Sequence, residues 1–244
     1  MAGSIRSLVL KTRRFFAGSK KCKAVVGVSG GVDSALACFL LSKALGPKNV
    51  FAFHLPYFDN REHEKNAKAV ASFCRVGLKK VSIKKPVDDI AQMLKCDIRR
   101  KGNVMARIRM IMLYDFAKKH NALVAGTGNK SELAVGYFTK YGDGGVDFLP
   151  LGRLLKKDVR RLALEAGIPP AIVWQKPTAG LWKGQTDEGE LGLTYGELDE
   201  ILSLLEKGKR GLPSAKKKFN PAKVSKVIVL NALSEHKRSG PKIL

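Results

Sequence analysis

The stretch AVVGVSGGVDSALA, residues 24–37, decides the fold of this 244-residue chain. An apolar run rich in valine breaks into glycine and serine, and apolar residues such as Leu36 and Leu40 then return at helical spacing. A strand that passes through a glycine-rich turn into a helix is typical of α/β proteins. The sequence predicts a strand to about residue 28 and a helix over 34–45, ended by Gly46 and Pro47.

The same alternation of strand and helix patterns continues along the first half of the chain. Further strands are predicted at 49–56, 79–83 and 122–126, and further helices at 62–75, 87–95 and 103–119. Such alternation predicts a doubly wound, mostly parallel, Rossmann-like sheet with helices on both faces. Ligands of these sheets bind at the carboxyl ends of the strands, where the glycine-rich turns at 27–34 and 126–132 should meet.

Beyond residue 147 the pattern becomes helical. Helices are predicted at 154–167, 194–207 and 220–237, the last with Asn220 as N-cap and Pro221 in its first turn. Residues 175–193 carry few helix or strand signals, and connections of this length are usually functional or disordered. No repeat or linker divides the chain, so we expect one domain over 1–244, with an N-terminal helix in 1–20 and a C-terminal helix and tail in 220–244.

The apolar runs and the cysteines bear on membrane association and on the cell compartment. Lys or Arg interrupts every apolar stretch before it reaches the length of a membrane span, and the N-terminus has no long apolar centre. The four cysteines, Cys22, Cys38, Cys74 and Cys96, have no short pairing and are expected to be isolated thiols of a reducing compartment. We therefore expect a cytoplasmic protein without membrane association.

The formal net charge of +24 has two interpretations. Such an excess is often the footprint of a nucleic-acid-binding protein. However, the basic residues are spread along the chain, with local clusters at 19–23, 98–102 and 214–219. A lysine-rich surface with sites for polyanionic small substrates has the same charge, and the composition does not choose between the two.

Residues 27–34 have the chemistry of a phosphate-binding loop but match neither common motif. Ser29 stands where a dinucleotide fingerprint needs glycine, and the Gly-Lys-Ser/Thr ending of a Walker A loop is absent. Small residues still let backbone N–H groups and the N-terminus of the next helix approach an anion. Asp33 would repel a bare phosphate and therefore implies a divalent cation, unless it only caps the helix.

The segment SGGVDS, residues 29–34, resembles the pyrophosphate-binding loop of N-type ATP pyrophosphatases. Four further stretches are similar to NAD synthetases: NVMARIRMIMLYDFA, LVAGTGNKSELAVGYFTKYGDGGVDFLPLGRLLKKDV, KPTAGLWKGQTDE and EHKR. The resemblance runs from about residue 24 to residue 238. Because the chain starts shortly before the loop, it resembles the ammonia-dependent branch, without a glutamine-hydrolysing domain.

This resemblance implies an adenine nucleotide alpha hydrolase-like fold and a carbon–nitrogen ligase for the final step of NAD biosynthesis. The nicotinate carboxylate of deamido-NAD would be adenylated by ATP, releasing diphosphate, and ammonia would then displace AMP. It also implies Mg²⁺ and a homodimer, with nucleic acid not expected as the functional partner. The alternatives are a group member acting on tRNA and a non-catalytic nucleotide- or RNA-binding protein.

The resemblance also assigns residues to roles. Asp33, Glu132 and Lys156 are expected to be catalytic, and Asp33 and Glu132 to hold the metal. The expected ATP-binding residues are Gly27, Val28, Ser29, Gly30, Gly31, Val32, Asp33, Ser34, Thr127, Lys156 and Thr178. The expected deamido-NAD-binding residues are Arg107, Lys140, Asp147, His236 and Lys237.

Three of these assignments meet an alternative from the residues themselves. Lys156 would also suit a solvated position on the helix predicted at 154–167. Arg107 and Arg109 are two apart and face different sides of a helix, so one of them is expected to be structural. Asp147 follows a glycine pair and would also suit a turn. The sequence after residue 57, FDNREHEK at 58–65, departs from the family pattern near the adenine, which leaves the contacts to that base undefined.

Overall fold

The computed structural model describes residues 3–241 and residue 243 and contains a four-stranded, all-parallel sheet. Its strand order is β3-β2-β1-β4. The strands are β1 (Ala24–Gly27), β2 (Val50–His54), β3 (Leu78–Lys80) and β4 (Leu123–Ala125). The α/β class and the parallel sheet predicted from the sequence are confirmed, although each strand is shorter than its apolar run.

Helices cover both faces of this sheet. The first five are α1 (Ile5–Ala17), α2 (Val32–Leu45), α3 (Arg61–Cys74), α4 (Lys84–Met93) and α5 (Ile98–His120). Val26 packs into a core with α1, α2 and α3, whereas its neighbour Val25 packs into a second core with α4 and α5. Successive strand residues point to opposite faces, so a fully buried β1 requires apolar residues at both positions.

Local signals set the helix ends. α2 starts at residue 32, two residues earlier than predicted, with Gly31 as its N-cap, and ends at Gly46 with φ +83°. α5 starts five residues before its predicted start because Asp97 caps it by accepting a hydrogen bond from the Arg100 N–H at 2.8 Å. Apolar periodicity did not reveal this first turn, because residues 98–102 are mostly basic.

The second half of the chain adds eight helices to the part of the chain that the structure describes. They are α6 (Lys130–Val135), α7 (Lys156–Glu165), α8 (Pro170–Val173), α9 (Asp187–Leu191), α10 (Tyr195–Leu205), α11 (Gly211–Lys218), α12 (Pro221–Leu233) and α13 (Glu235–Arg238). A third core joins α6, α10, α11 and α12. Met1, Ala2, Lys242 and Leu244 of the expected terminal segments lie outside the described residues.

The C-terminal region differs in detail from the sequence prediction. The single helix expected at 220–237 is two helices, because the chain turns at Ser234, whose hydroxyl donates to the Leu230 carbonyl at 2.6 Å. Asn220 caps α12 as predicted, accepting from the Ala222 N–H at 2.9 Å. The helices α6, α8, α9 and α11 were not predicted, since each is short or contains glycine or proline. Across the described residues no helix combines the length and apolarity needed to cross a bilayer.

Candidate active site

A cavity of about 1520 Å³ opens at the carboxyl ends of the strands. This is the edge where open α/β sheets bind ligands, and the volume exceeds the 300–1,000 Å³ typical of a site for one small ligand. Most of the expected site residues line it: residues 27–29 and 31–34, Thr127, Glu132, Lys156, Thr178 and Lys237. The glycine-rich turns after β1 and β4 therefore meet as predicted.

The loop from β1 to α2 is held by its own hydrogen bonds. The Ser34 hydroxyl donates to the Gly31 carbonyl at 2.9 Å and accepts from the Ser29 N–H at 3.2 Å. Gly30 has φ +96°, and a Cβ there would lie 2.5 Å from the His63 carbonyl oxygen of α3. Gly30 thus packs against α3, while residues 31–34 at the start of α2 line the cavity. The first amides of a helix have no partner within the helix and can donate to an anion.

Asp33 does not cap α2. The N-cap position belongs to Gly31, and no side chain caps this helix. The Asp33 carboxylate reaches across the cavity, where Oδ1 accepts from Asn129 Nδ2 at 2.8 Å and Oδ2 contacts Lys156 Nζ at 2.5 Å. The structure therefore excludes the capping role for Asp33 and leaves its side chain facing the cavity.

Glu132 and Lys156 complete this polar centre. Asn129 and Glu132 form a capping box at the start of α6, which fixes the Glu132 side chain through the Asn129 N–H at 3.2 Å. Lys156 Nζ lies 3.3 Å from Glu132 Oε1 as well as against Asp33. Lys156 is 2% exposed, so this lysine is not a solvated helix residue but the cation that balances two carboxylates.

Burial and charge shift the pKa values of these groups. Burial, with a contribution from Asp33, raises the pKa of Glu132 to about 7 despite the opposing charge of Lys156. Burial lowers the pKa of Lys156, but Asp33 and Glu132 outweigh it and leave the pKa above its ordinary value. Lys156 is therefore charged at neutral pH, and the site is strongly coupled electrostatically.

Tyr195 and Asp187 belong to the same centre, although the sequence did not single them out. The Tyr195 hydroxyl lies 3.2 Å from Glu132 Oε1 and 3.0 Å from Asp187 Oδ2, and its ring lies 4.7 Å from Lys156 Nζ. Both residues are buried. Tyr195 looked like an ordinary first-turn residue of α10, and only the packing of α10 against α6 and α7 brings it beneath the lysine.

Polar side chains tie residues 175–193 to this centre. The Tyr137 hydroxyl donates to Glu190 Oε2 at 2.6 Å and lies 3.2 Å from Asp187 Oδ1, and Gln185 Nε2 also donates to Glu190 at 2.6 Å. The Thr178 hydroxyl donates to the Gln185 carbonyl at 2.9 Å. The segment with few sequence signals is therefore an ordered wall of the cavity.

Four of the expected deamido-NAD residues lie outside the cavity. The Arg107 guanidinium lies 3.5 Å from the Lys140 carbonyl oxygen, and Lys140 Nζ donates to the His236 carbonyl at 2.5 Å. Asp147 accepts from the Val124 N–H at 2.7 Å and from the Tyr114 hydroxyl at 3.1 Å. These contacts bring Arg107, Lys140 and His236 together and place Asp147 beside β4.

Lys237 and Arg109 line the cavity instead. Lys237 Nζ donates to the carbonyls of Gly136 and Phe138 at 2.8 and 3.0 Å. Arg109 donates through Nε to the Leu55 carbonyl at 3.0 Å, and burial lowers its pKa to about 10, which leaves it charged. Of the arginine pair on α5, Arg109 therefore faces the cavity and Arg107 is exposed, a choice that helical spacing alone did not make.

The family model for NAD synthase matches residues 5–241. The chain belongs to the NAD synthase family. An NH(3)-dependent NAD(+) synthetase from Pyrococcus horikoshii is 45% identical over 221 residues, covering 89% of this chain and 86% of that protein. One from Pyrococcus furiosus is 41% identical and covers 98% of this chain and 96% of its own length.

Solved structures of the family agree with this fold. An NMN synthetase from Francisella tularensis superposes with a TM-score of 0.87 at 32% identity, covering 98% of this chain and 96% of its own. An NH3-dependent NAD synthetase from Campylobacter jejuni has a TM-score of 0.84 at 28% identity, covering 98% and 97%. Both alignments include the strands and helices that surround the cavity, so the NAD synthase fold of this chain is established.

Proposed function

We propose that this member of the NAD synthase family is an ammonia-dependent ligase that converts deamido-NAD, ATP and ammonia into NAD, AMP and diphosphate. One observation carries the proposal: the loop at 27–34, the carboxylates of Asp33 and Glu132 and the buried Lys156 face a single large cavity. The relatives named above as NH(3)-dependent NAD(+) synthetases support the same reaction.

ATP is assigned to the wall formed by β1 and α2. The amides at the start of α2 and the hydroxyls of Ser29 and Ser34 would hold its phosphates, since both kinds of donor favour an anion. Lys156 is placed to neutralise phosphate charge. Thr127 and Thr178 line the same cavity and are assigned to ATP with the loop residues.

Mg²⁺ is assigned to Asp33 and Glu132. Among the described residues, no group of three or more Asp, Glu, His or Cys side chains could hold a metal ion. The two carboxylates would therefore need further ligands to hold Mg²⁺. Mg²⁺ typically binds one or two carboxylates together with substrate phosphates and waters, and this donor set fits that mode. When bound, the ion would neutralise charge that develops on the phosphates during adenylation.

The chemistry needs positioning more than acid–base groups. An oxygen of the nicotinate carboxylate attacks the α-phosphorus of ATP, the bond from that phosphorus to the diphosphate oxygen breaks, and an acyl-adenylate forms. Ammonia then attacks the acyl carbon, AMP leaves with its oxygen, and the nitrogen gives up a proton. The loop amides and Lys156 stabilise the departing diphosphate, and the wall at 175–193 shields the adenylate from water.

Deamido-NAD is assigned to the side of the cavity that carries Lys237 and to the neighbouring surface of α5. Arg107 and Ile111 share the exposed face of this helix, Ile111 being 55% exposed. Lys140 and His236 adjoin Arg107. Arg107, Lys140 and His236, which were expected to bind deamido-NAD but lie outside the cavity, are thus near the exposed side chain of Ile111. We assign this face of α5 to the homodimer interface, where a second copy would complete the site.

We also place the enzyme in the cytoplasm, as expected from the sequence. All four cysteines are free thiols in the described structure, as is usual in a reducing compartment. The tRNA-modifying alternative is not favoured, since the NAD synthase family model and the relative from Pyrococcus furiosus both match nearly the whole chain.

The test is an assay with deamido-NAD, ATP, Mg²⁺ and ammonium that follows NAD and AMP together. We expect the two products in equal amounts and no AMP without the nicotinate substrate. Absence of NAD from protein that circular dichroism shows to be folded would overturn the proposal. A parallel reaction with nicotinate mononucleotide tests whether NMN, the product named for the Francisella structure, is made instead; a higher kcat/KM for it would reassign the substrate.

A further inference from the structure

The edge of the sheet opposite the cavity is strongly basic. Three segments, 18–24, 43–50 and 116–123, lead to the first residues of β1, β2 and β4, and a fourth, 74–80, contains β3 and the residues before it. None of them contains an aspartate or glutamate. We call the following residues the basic edge: Lys20, Lys21, Lys23, Lys48, Arg75, Lys79, Lys118 and Lys119.

The parallel topology gathers these residues although they are far apart in sequence. The first residue of β1, Ala24, pairs with Val50 and with Leu123, so three of the strands start in register. Lys21 Nζ donates to the Ala122 carbonyl at 3.2 Å, which links two of the entering segments directly. β3 starts further along the sheet, with Leu78 opposite Ala52. The Lys79 side chain nevertheless reaches the entry of β4, where its Nζ lies 5.8 Å from the centroid of the Phe116 ring.

The surroundings of His120 show that these lysines lie close to one another. Its ring stacks on Phe51 with the ring centroids 3.9 Å apart. Burial lowers the pKa of His120, and the charges of Lys119, Lys23 and Lys79 lower it further. Three lysines from three different segments therefore act on one imidazole, with no carboxylate among the groups that shift its pKa.

Intramolecular roles account for only part of this charge. Within the described chain no residue of the basic edge forms an ion pair, whereas Lys80, Lys84 and Lys101 nearer the cavity all do. Lys118 and Lys119 close α5 and suit the negative end of its dipole. Lys23 and Lys79 precede or belong to strands and serve no helix end.

Among the described residues, the basic edge also has no large exposed apolar side chain that could anchor a protein or a membrane. Large exposed apolar side chains such as Ile98, Ile111 and Leu233 lie elsewhere, and none falls in the four entering segments as the structure describes them. Protein interfaces centre on buried apolar or aromatic residues, and membrane-surface helices insert an apolar face. A surface with many lysines and no anchor fits instead a partner made of regularly spaced phosphates.

We propose that the basic edge docks the phosphate backbone of RNA, independently of base sequence. RNA is the abundant polyphosphate chain of the cytoplasm, where the enzyme is placed. The docked RNA is not a substrate: it lies on the edge of the sheet away from the cavity, so ATP and deamido-NAD keep free access. The proposal thus accounts for part of the net positive charge of the chain by the basic edge and assigns RNA as its partner.

The test measures binding of a fluorescently labelled 30-nucleotide RNA hairpin by anisotropy between 50 and 200 mM KCl. The wild type is compared with the triple variant K23E/K79E/K119E. The matched control K209E/K216E/K217E changes the net charge equally on exposed, unpaired lysines of the α11 region. We expect the edge variant to lose at least about tenfold in affinity at 100 mM KCl and the control about two- to threefold, with the salt slope reduced by about 2–3 for the edge variant.

Three outcomes would overturn the proposal. Equal losses in the two variants would show that only net charge matters, absence of wild-type binding would show that there is no RNA site, and binding only to anionic lipid vesicles would assign the surface to membranes. NAD formation and melting temperature should be the same in all three proteins. If the glutamate variant does not fold, K23Q/K79Q/K119Q replaces it, with K209Q/K216Q/K217Q as its control.

Discussion

At the scale of single residues, the site depends on side chains whose partners come from other elements. Asp33 follows a glycine-rich loop, but its oxygens meet Asn129 and Lys156 across the cavity. Partly buried carboxylates such as Asp33 and Glu132 are costly unless they are paired or bind a cation. Their position beside the loop at 27–34 agrees with the proposed binding of ATP phosphates together with Mg²⁺.

Asp33→Asn is expected to reduce turnover by at least about a hundredfold, the scale of losing a preorganised electrostatic group. The amide keeps the shape, and its oxygen still accepts the hydrogen bond from Asn129 Nδ2, but it loses the negative charge that attracts a metal and that faces Lys156. The melting temperature should stay within a few degrees of the wild type. Steady-state kinetics and calorimetry check both expectations, and a variant with full turnover would remove Asp33 from the metal site.

Tyr195→Phe is expected to lower kcat about tenfold while leaving the KM for ATP nearly unchanged. The variant keeps the ring beneath Lys156 but removes the hydroxyl shared between Glu132 and Asp187, and a hydrogen bond to a charged group contributes about 1.5–3 kcal/mol. Tyr195→Leu, which also removes the ring, should be more severe. If Tyr195 were merely structural, the phenylalanine variant would melt earlier but keep its kcat.

At the scale of elements, the helices that cover one face of the sheet are joined by charged contacts at their ends. Asp88 of α4 accepts from the Tyr57 hydroxyl at 2.6 Å, lies 2.7 Å from Lys101 of α5 and contacts Lys84 within α4. Hydrogen bonds from Lys101, Lys84 and Tyr57 lower the pKa of Asp88. This cluster fixes the start of α5 near the wall at 57–63 of the cavity.

Asp88→Asn should lower the free energy of unfolding by about 1 kcal/mol at neutral pH, a small value because the groups are partly exposed. The pKa of Asp88 is depressed in the folded state, so its contribution is present above the unfolded value of about 4 and is lost as the pH falls through the folded value. The difference between wild type and variant should therefore shrink below about pH 4. Urea unfolding at pH 7 and pH 3 measures it, and a constant difference would contradict the assignment.

At the scale of the whole molecule, the sites at the two edges of the sheet have opposite character. The cavity edge places Asp33, Glu132 and Asp187 near one lysine, whereas the four segments at the opposite edge contain basic residues and no acidic ones. The exposed face of α5, with Arg107 and Ile111, adjoins the cavity side. Assembly through this face would extend each cavity with residues of a second copy.

Sedimentation equilibrium is expected to give twice the chain mass of 26.7 kDa. Ile111→Glu should shift the protein to monomer and raise the KM for deamido-NAD, because a charge at this exposed apolar position opposes burial. The control Leu10→Glu, at an exposed apolar position of α1, should leave mass and kinetics unchanged. A monomeric wild type with full activity would contradict the dimer.

Much of the fold could be predicted because it depends on local pattern. The valine-rich run before the loop, Gly46 after α2 and Asn220 before α12 each specify an element through period, backbone freedom or capping. The early start of α5 and the short helices α9 and α11 were missed because basic, glycine and proline residues hide their amphipathic pattern. Their helical state is stabilised by tertiary packing rather than by propensity.

The sequence by itself determined the α/β class and the meeting of the two glycine-rich turns, because strand–turn–helix chemistry is local and parallel strands end at one edge. The joint role of Asp33 and Glu132 was expected only from the resemblance to NAD synthetases. Only the tertiary structure decided that Asp33 is no helix cap, that Lys156 is buried between the carboxylates, and that Tyr195 lies beneath it. It also selected Arg109 for the cavity and gathered the basic edge. These contacts join residues that are far apart in the sequence. They depend on which helices and strands pack together, which local sequence patterns do not specify.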